Sequence, residues 1–369
     1  MSFNFPNVPI EGQIVTFTGG ISYIYQSGVW NRYVAGSGVT ADMRNRIVNG
    51  AMQISQENGN TGGTTDEYYA ADQWSYSFVN ISGVTAARLP TPGSSGPPYR
   101  LRLTSTTADT TIAASDNITI TQRVEGIRIT DFKWGQPDAK PAVLRFTTYS
   151  SVAGTYSVVV RNVPTTYSWI GTFTIAAGEI NTFVDRTFAI PVPPGGTWAT
   201  DNTVGLLVTF VLVAGPSIIG VPGWQAGSLI GAPGHVNWLG TANSTFIITN
   251  VGLHLDPFAT GIAPPWQTPD EAAELLACQR YWYRCSPSAS AGHRWAGVAG
   301  DSFMSATEIT FPVTMRAPPT GVASTAPTYT NCSTISFFTD VAGCSMRVTA
   351  TAIGKYRALA GVYDFNARM

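Results

Sequence analysis

Between residues 42 and 265 the chain is a succession of short segments rich in Val, Ile, Thr and aromatics. Clusters of Gly, Pro, Ser and Asn separate them, and no long amphipathic helix interrupts them. The clearest are Tyr99-Arg-Leu-Arg-Leu-Thr, Ile118-Thr-Ile-Thr-Gln-Arg-Val, Ala142-Val-Leu-Arg-Phe-Thr-Thr-Tyr, Thr155-Tyr-Ser-Val-Val-Val, Thr182-Phe-Val-Asp-Arg-Thr-Phe-Ala-Ile, Gly205-Leu-Leu-Val-Thr-Phe-Val-Leu-Val and Phe246-Ile-Ile-Thr-Asn-Val-Gly-Leu-His-Leu. β-Branched and aromatic side chains suit a pleated, half-buried surface, while Gly and Pro supply turn geometry. Strands at regular spacing without helices pack as two facing sheets, so this region is expected to form a jelly-roll β-sandwich. The apolar run 204–213 is too short to span a bilayer as a helix. With Thr209 inside it and a Gly-Pro turn after it, it reads as a buried strand.

The flanks differ from this centre. Residues 1–40 hold three short alternating segments, Gly12-Gln-Ile-Val-Thr-Phe-Thr, Ile21-Ser-Tyr-Ile-Tyr and Val29-Trp-Asn-Arg-Tyr, and Ala35-Gly-Ser-Gly38 reads as a flexible joint after them. Such a unit is too small to bury its own core and is expected to pack on a partner. Residues 268–285 read as one short connecting helix: Thr268-Pro-Asp-Glu271 resembles a capping box, and Ala272, Leu275, Leu276, Gln279, Trp282 and Tyr283 follow at helical spacing. Leu275, Leu276, Gln279 and Trp282 are the candidate contacts of this helix with other subunits. Residues 286–369 return to strands and suffice for a smaller β-sandwich domain. The expected order is therefore an all-β chain: N-terminal unit 1–40, large sandwich 41–267, helix 268–285, distal domain 286–369.

Charged residues make up only 12% of the chain and the formal net charge is −1, so there is no basic footprint for nucleic acid. The N-terminal residues lack a charged segment followed by a long apolar one, which predicts a soluble protein not exported by a classical route. The four cysteines are expected as buried free thiols; Cys332 and Cys344 could face each other across a hairpin, whereas Cys278 and Cys285 on one helix would lie too far apart to bridge.

Catalytic chemistry finds little support. Acids are sparse and mostly single, whereas glycoside hydrolysis needs two carboxyl groups held together. Asp270 and Glu271 are explained by helix capping. His254 and Asp256 share a strand face but have no further ligand nearby in sequence, so no metal is expected, and no phosphate-binding loop implies a cofactor. Sugar binding needs an aromatic platform. Trp198, Trp224 and Trp238 lie in Gly-rich, loop-like contexts, and Trp295 follows His293 and Arg294 in the distal region. These four are the candidate glycan contacts; packing or subunit contact is the competing reading for each.

Four further segments occur in order: Arg46-Ile-Val-Asn-Gly-Ala-Met-Gln-Ile-Ser-Gln, Tyr69-Ala-Ala-Asp-Gln-Trp, Ile120-Thr-Gln-Arg-Val-Glu-Gly, and Val251-Gly-Leu-His-Leu-Asp-Pro-Phe-Ala-Thr-Gly with Glu274-Leu-Leu-Ala-Cys-Gln-Arg-Tyr-Trp. Together they resemble a family of bacteriophage tail-fibre and head-fibre proteins over residues 44–285, and Phe311-Pro-Val-Thr-Met-Arg-Ala-Pro-Pro-Thr resembles the strand that follows there. Asp72-Gln-Trp and His254-Leu-Asp256 depart from the family pattern. The resemblance implies a jelly roll similar to carbohydrate-binding modules, then a distal β-domain, in an oligomer that is often a trimer. It implies a non-enzymatic virion component that attaches to a host-surface glycan; residues 1–34 lie outside the resemblance, and the 1–40 unit is the candidate for docking on other virion proteins. A mainly architectural head fibre and a polysaccharide-degrading tailspike are the alternatives.

Overall fold

The computed structural model describes residues 5–10, 13–17, 21–26, 28–33, 42–90, 97–285, 293–299, 304–351 and 354–369. The expected joint at residues 35–38 lies outside the described residues. The protein is all-β, with sandwich-like pairs of antiparallel sheets and one α-helix among the described residues. Strands β1 (Ile14–Phe17), β2 (Ile21–Gln26) and β3 (Val29–Tyr33) form a three-stranded antiparallel sheet. Phe5 stacks on Trp30 at 4.9 Å and meets Tyr23 edge-on at 5.2 Å, so aromatic contacts stand in for a core.

The large sandwich is built from β4 (Tyr68–Ala71), β5 (Trp74–Val79), β6 (Val84–Pro90), β7 (Tyr99–Ser105), β8 (Asn117–Glu125), β9 (Ala142–Ser150), β10 (Gly154–Arg161), β11 (Tyr167–Ile175), β12 (Val184–Ile190), β13 (Val204–Ala214), β14 (Gly223–Ala226) and β15 (Thr245–Leu255). One sheet has the order β14-β11-β10-β13-β8-β5-β4 and the facing sheet β12-β9-β15-β7-β6. The chain crosses repeatedly between the two sheets, as in a jelly roll. Alternation supplies the core: Leu101 and Leu103, Leu144 and Phe146, and Phe246 and Ile248 point inward from one sheet. Trp74, Tyr76, Val158, Val208 and Phe210 meet them from the other. Phe146 touches Phe210 edge-on at 4.8 Å.

The apolar run 204–213 is a buried strand, as its composition predicts, and β13 sits between β10 and β8. It is buried on both faces because Ile230 and Ala232 lie over Val159, Ile170 and Val211 on the outside of the sheet.

The helix is shorter than its sequence suggests. α1 spans Glu271–Gln279, capped by Asp270, whose carboxylate accepts from the Ala273 amide at 3.0 Å. Thr268 is not the cap. Trp282 is not on the helix: β16 (Trp282–Arg284) pairs with β23 (Gly354–Asn366), a ladder that helical spacing cannot reveal. The neighbours of α1 come from its own chain, since Cys278 and Tyr281 are buried against Val48 and Ile54, with Leu275 partly covered beside them. Gln279 is half-buried, and Leu276 remains exposed.

The distal strands are β17 (His293–Ala299), β18 (Met304–Thr310), β19 (Thr320–Thr325), β20 (Thr328–Thr330), β21 (Cys332–Thr339) and β22 (Gly343–Ala350), followed by β23. β16, β17, β19 and β20 all pair with β23, while β18-β22-β21 form a separate sheet. Phe311, Met315, Met346, Tyr363 and Phe365 fill the space between the two. Cys332 and Cys344 do not face each other. Cys332 opposes Ala350 and Cys344 opposes Thr339, at opposite ends of the β21–β22 pair, and none of the four cysteines forms a disulfide.

The segments that carry the family resemblance converge in space. Asn49, at φ +54°, donates to the carbonyls of Ile54 and Asp72, accepts from the Ile54 amide, and its own carbonyl accepts from the Trp74 indole. Gln122 bonds both backbone groups of Val48. A Cβ on Gly50 would lie 2.1 Å from the Val251 carbonyl oxygen, so only glycine fits. The buried Glu125 accepts from Arg280 Nε at 2.9 Å and from the Tyr281 hydroxyl at 2.8 Å. The C-terminal segment joins the same region: Arg368 lies 3.9 Å over the Tyr69 ring and 5.4 Å from Trp282.

Candidate functional site

The outward face of the β12-β9-β15-β7-β6 sheet carries what the core does not. Alternation in β7 sends Leu101 and Leu103 inward and Arg100 and Arg102 outward. Arg102 pairs with Ala87 on one side and Ile247 on the other, and Ile247 pairs with Tyr149. Phe183, just before β12, lies 5.3 Å from Tyr149 at the sheet's edge. A second row contains Thr249, Thr147 and Asp185.

β15 bends between these rows and its own end. From Thr249 to Gly252 it advances one residue more than β9 does, and Asn250 sits there at φ +52°. Past the bulge the face is covered. The Pro264 carbonyl of a covering strap accepts from Arg145 at 2.9 Å, and Trp266 lies beside the same guanidinium, 5.7 Å from its ring centre.

Before the bulge the face is open and forms a cleft of about 250 Å3, lined by Leu89, Arg100, Arg102, Tyr149, Phe183, Thr245 and Ile247. The Tyr149 hydroxyl donates to Asn181 Oδ1 at 2.9 Å, which fixes its ring, and the Arg100 guanidinium lies 5.2 Å from the Phe183 ring centre. Burial, then the neighbouring Arg102 charge, lowers the Arg100 pKa. Two rings, two guanidiniums and a threonine side chain thus line one shallow depression, and none of its lining residues is a carboxylate. The arrangement suits recognition of a polar, ring-shaped ligand.

Of the tryptophans singled out in the sequence, Trp198 and Trp238 are buried. Trp198 and Trp224 come together with Trp134 in a cluster of edge-on contacts at 4.7, 5.8 and 5.6 Å. Each indole N–H donates to a backbone carbonyl: Trp134 to Lys140, Trp198 to Gly195, Trp224 to Pro191. Trp198 is buried, so it staples a loop and offers no platform; Trp224 is half-buried. Trp238 is wholly enclosed in the core and cannot meet a glycan. Trp295 falls on β17, and its side chain lies outside the described residues. Sequence reasoning missed Arg100, Arg102, Tyr149 and Phe183. The signal was present in Tyr99-Arg-Leu-Arg-Leu-Thr, where alternation puts two arginines on the face away from the core.

Asp256 and His254 are structurally occupied. The Asp256 carboxylate accepts from the amides of Thr260 and Gly261 and closes a turn. His254 is buried; its Nδ1–H donates to the Asp42 carbonyl at 2.9 Å, and burial drives its pKa down to about 4. No group of three His, Cys, Asp or Glu side chains that could hold a metal occurs among the described residues.

These features define a class, an all-β sandwich of jelly-roll type with one open, aromatic-edged sheet face. No family model matches the chain, and no curated protein matches it. Among solved structures it is similar to the enzymatically active domain of tailspike protein 4 of bacteriophage CBA120, at 16% identity and a TM-score of 0.32, over 57% of this chain and 21% of that one. It is also similar to the TmCBM61 module in complex with beta-1,4-galactotriose, at 12% identity and a TM-score of 0.28, over 57% of this chain and 99% of that one. A family 11 carbohydrate-binding module from Clostridium thermocellum gives 10% identity and a TM-score of 0.28, over 53% and 96%. The chain spans about a fifth of the tailspike chain, and likeness of this degree carries no functional argument.

Proposed function

We propose that this protein is a non-catalytic glycan-binding component of a bacteriophage fibre or spike, and that the open face of the β12-β9-β15-β7-β6 sheet is its binding surface. The cleft formed by Tyr149 and Phe183 beside Arg100 and Arg102 carries the reading, because apolar ring faces next to fixed hydrogen-bond donors match the two kinds of surface a pyranose presents. The ordered fibre-type segments and the low charge density support the virion setting. In this reading residues 1–40 dock on other virion proteins, the sandwich and distal region project outward, and copies assemble, as a trimer, so that weak sites add up to high avidity.

The test is binding of the purified full chain to a printed glycan array, followed by titration of a hit. Tyr149→Ala and Phe183→Ala are each expected to weaken binding roughly tenfold, the effect of losing one aromatic contact of about 1–1.5 kcal/mol. Thermal midpoints should stay close to wild type, since both rings lie on the outer face. An array with no hit defeats the reading, and release of reducing ends from host polysaccharide would favour a degrading tailspike instead. Antibody labelling of intact particles places the protein on head, tail or neither, and light scattering reads the oligomeric state.

A further inference from the structure

Resting on the binding face proposed above, we infer that its ligand is an anionic glycan, one bearing a carboxylate or phosphate that the Arg102 guanidinium engages.

Charge is scarce in this chain, and several arginines on the sandwich are matched to acids, while Arg88, Arg128 and Arg161 donate to neutral groups. Arg46 meets Asp42 and Asp131, Arg123 meets Glu67, and Arg186 meets Glu179. Arg102, on the open face, has neither kind of partner among the described residues. It has no carboxylate within ion-pairing distance among the described residues, and its Nε is buried without a hydrogen-bond partner. Arg100 stands two residues away on the same face, about 7 Å along the strand. Its lowered pKa reports the cost of holding both cations in a partly desolvated cleft. No acid lines the cleft, so an anion that enters it meets the Arg102 guanidinium with no carboxylate to displace. A guanidinium fork binds an oxyanion through two parallel N–H donors, and Tyr149 and Phe183 beside it leave room for the sugar ring that carries the anion.

Uronate carboxylates and sugar phosphates present the same recognition chemistry, so the experiment must separate them. The full chain is titrated with polygalacturonate and its neutral methyl ester, and with phosphomannan and neutral mannan, alongside an array carrying neutral, uronate and phosphate glycans. The expected result is preference for an anionic member over its neutral counterpart by roughly tenfold or more, weakening with added salt. Arg102→Gln should abolish that preference, while Arg357→Gln, on an exposed distal strand position, leaves it unchanged. Whichever anionic class is bound identifies the source. Binding to neutral glycans that ignores Arg102→Gln but is lost in Tyr149→Ala overturns this inference and leaves the binding face standing. A blank array overturns both.

Discussion

At the scale of single residues, the side chains that look most functional in the sequence serve architecture. Asn49, Gly50, Asp72, Gln122 and Glu125 belong to the segments that resemble phage fibres; the first four hold backbone together, and Glu125 holds the Arg280 and Tyr281 side chains. His254 is a further case, and it makes a measurable claim. Its pKa in the fold is about 4, so the imidazole stays neutral above that pH, held so first by burial, with Arg46 and Arg145 adding to the effect. The unfolded chain binds a proton near pH 6.5, so protonation favours unfolding as the pH falls from 6.5 toward 4. Stability is complete above that window and declines through it by at most about 3 kcal/mol. Urea midpoints at neutral and mildly acidic pH should therefore fall further for wild type than for His254→Gln. The Trp misreading has a physical cause: a Gly-rich context around Trp198 and Trp238 signals a loop, but whether that loop folds over its own indole depends on contacts distant in sequence. The Arg100 and Arg102 positions follow from strand alternation alone and were legible.

At the scale of elements, strands announce themselves through alternation, and the seven clearest segments all correspond to strands of the sandwich. The helix is where local pattern and tertiary structure part. Tyr281 and Trp282 continue the helical spacing, yet a ladder to residues 364–366 captures Trp282, while Tyr281 turns its hydroxyl to Glu125. That carboxylate is the joint between β8 and the end of α1. Removing it leaves Arg280 and the buried Tyr281 hydroxyl without their acceptor, so Glu125→Ala is expected to cost about 3–5 kcal/mol, the penalty of breaking a buried pair. Chemical denaturation reads this directly. A loss no larger than that of a surface ion pair would show that α1 docks through its apolar contacts alone. Leu276 is exposed beside that docked face.

At the scale of the whole molecule, the two β regions differ in how their sheets are closed along the chain. Every strand of the large sandwich has been made once residue 255 is reached. The distal region is organised around β23, which pairs with β16, β17, β19 and β20. This arrangement could not be read from sequence, because each distal segment looks like an ordinary strand and nothing local marks residues 354–366 as the common partner. Its consequence concerns synthesis. A chain emerging from the ribosome can complete the sandwich while the distal strands wait, their hydrogen-bonding edges open, for the last element that joins them. Chains stopped at residue 350 should therefore be less soluble than chains stopped at residue 267, although they carry more of the protein, and sedimentation of the two products after translation would show it. The order of assembly is thus written into the topology: the open face is built early, and the region beside it is sealed only when the final strand arrives.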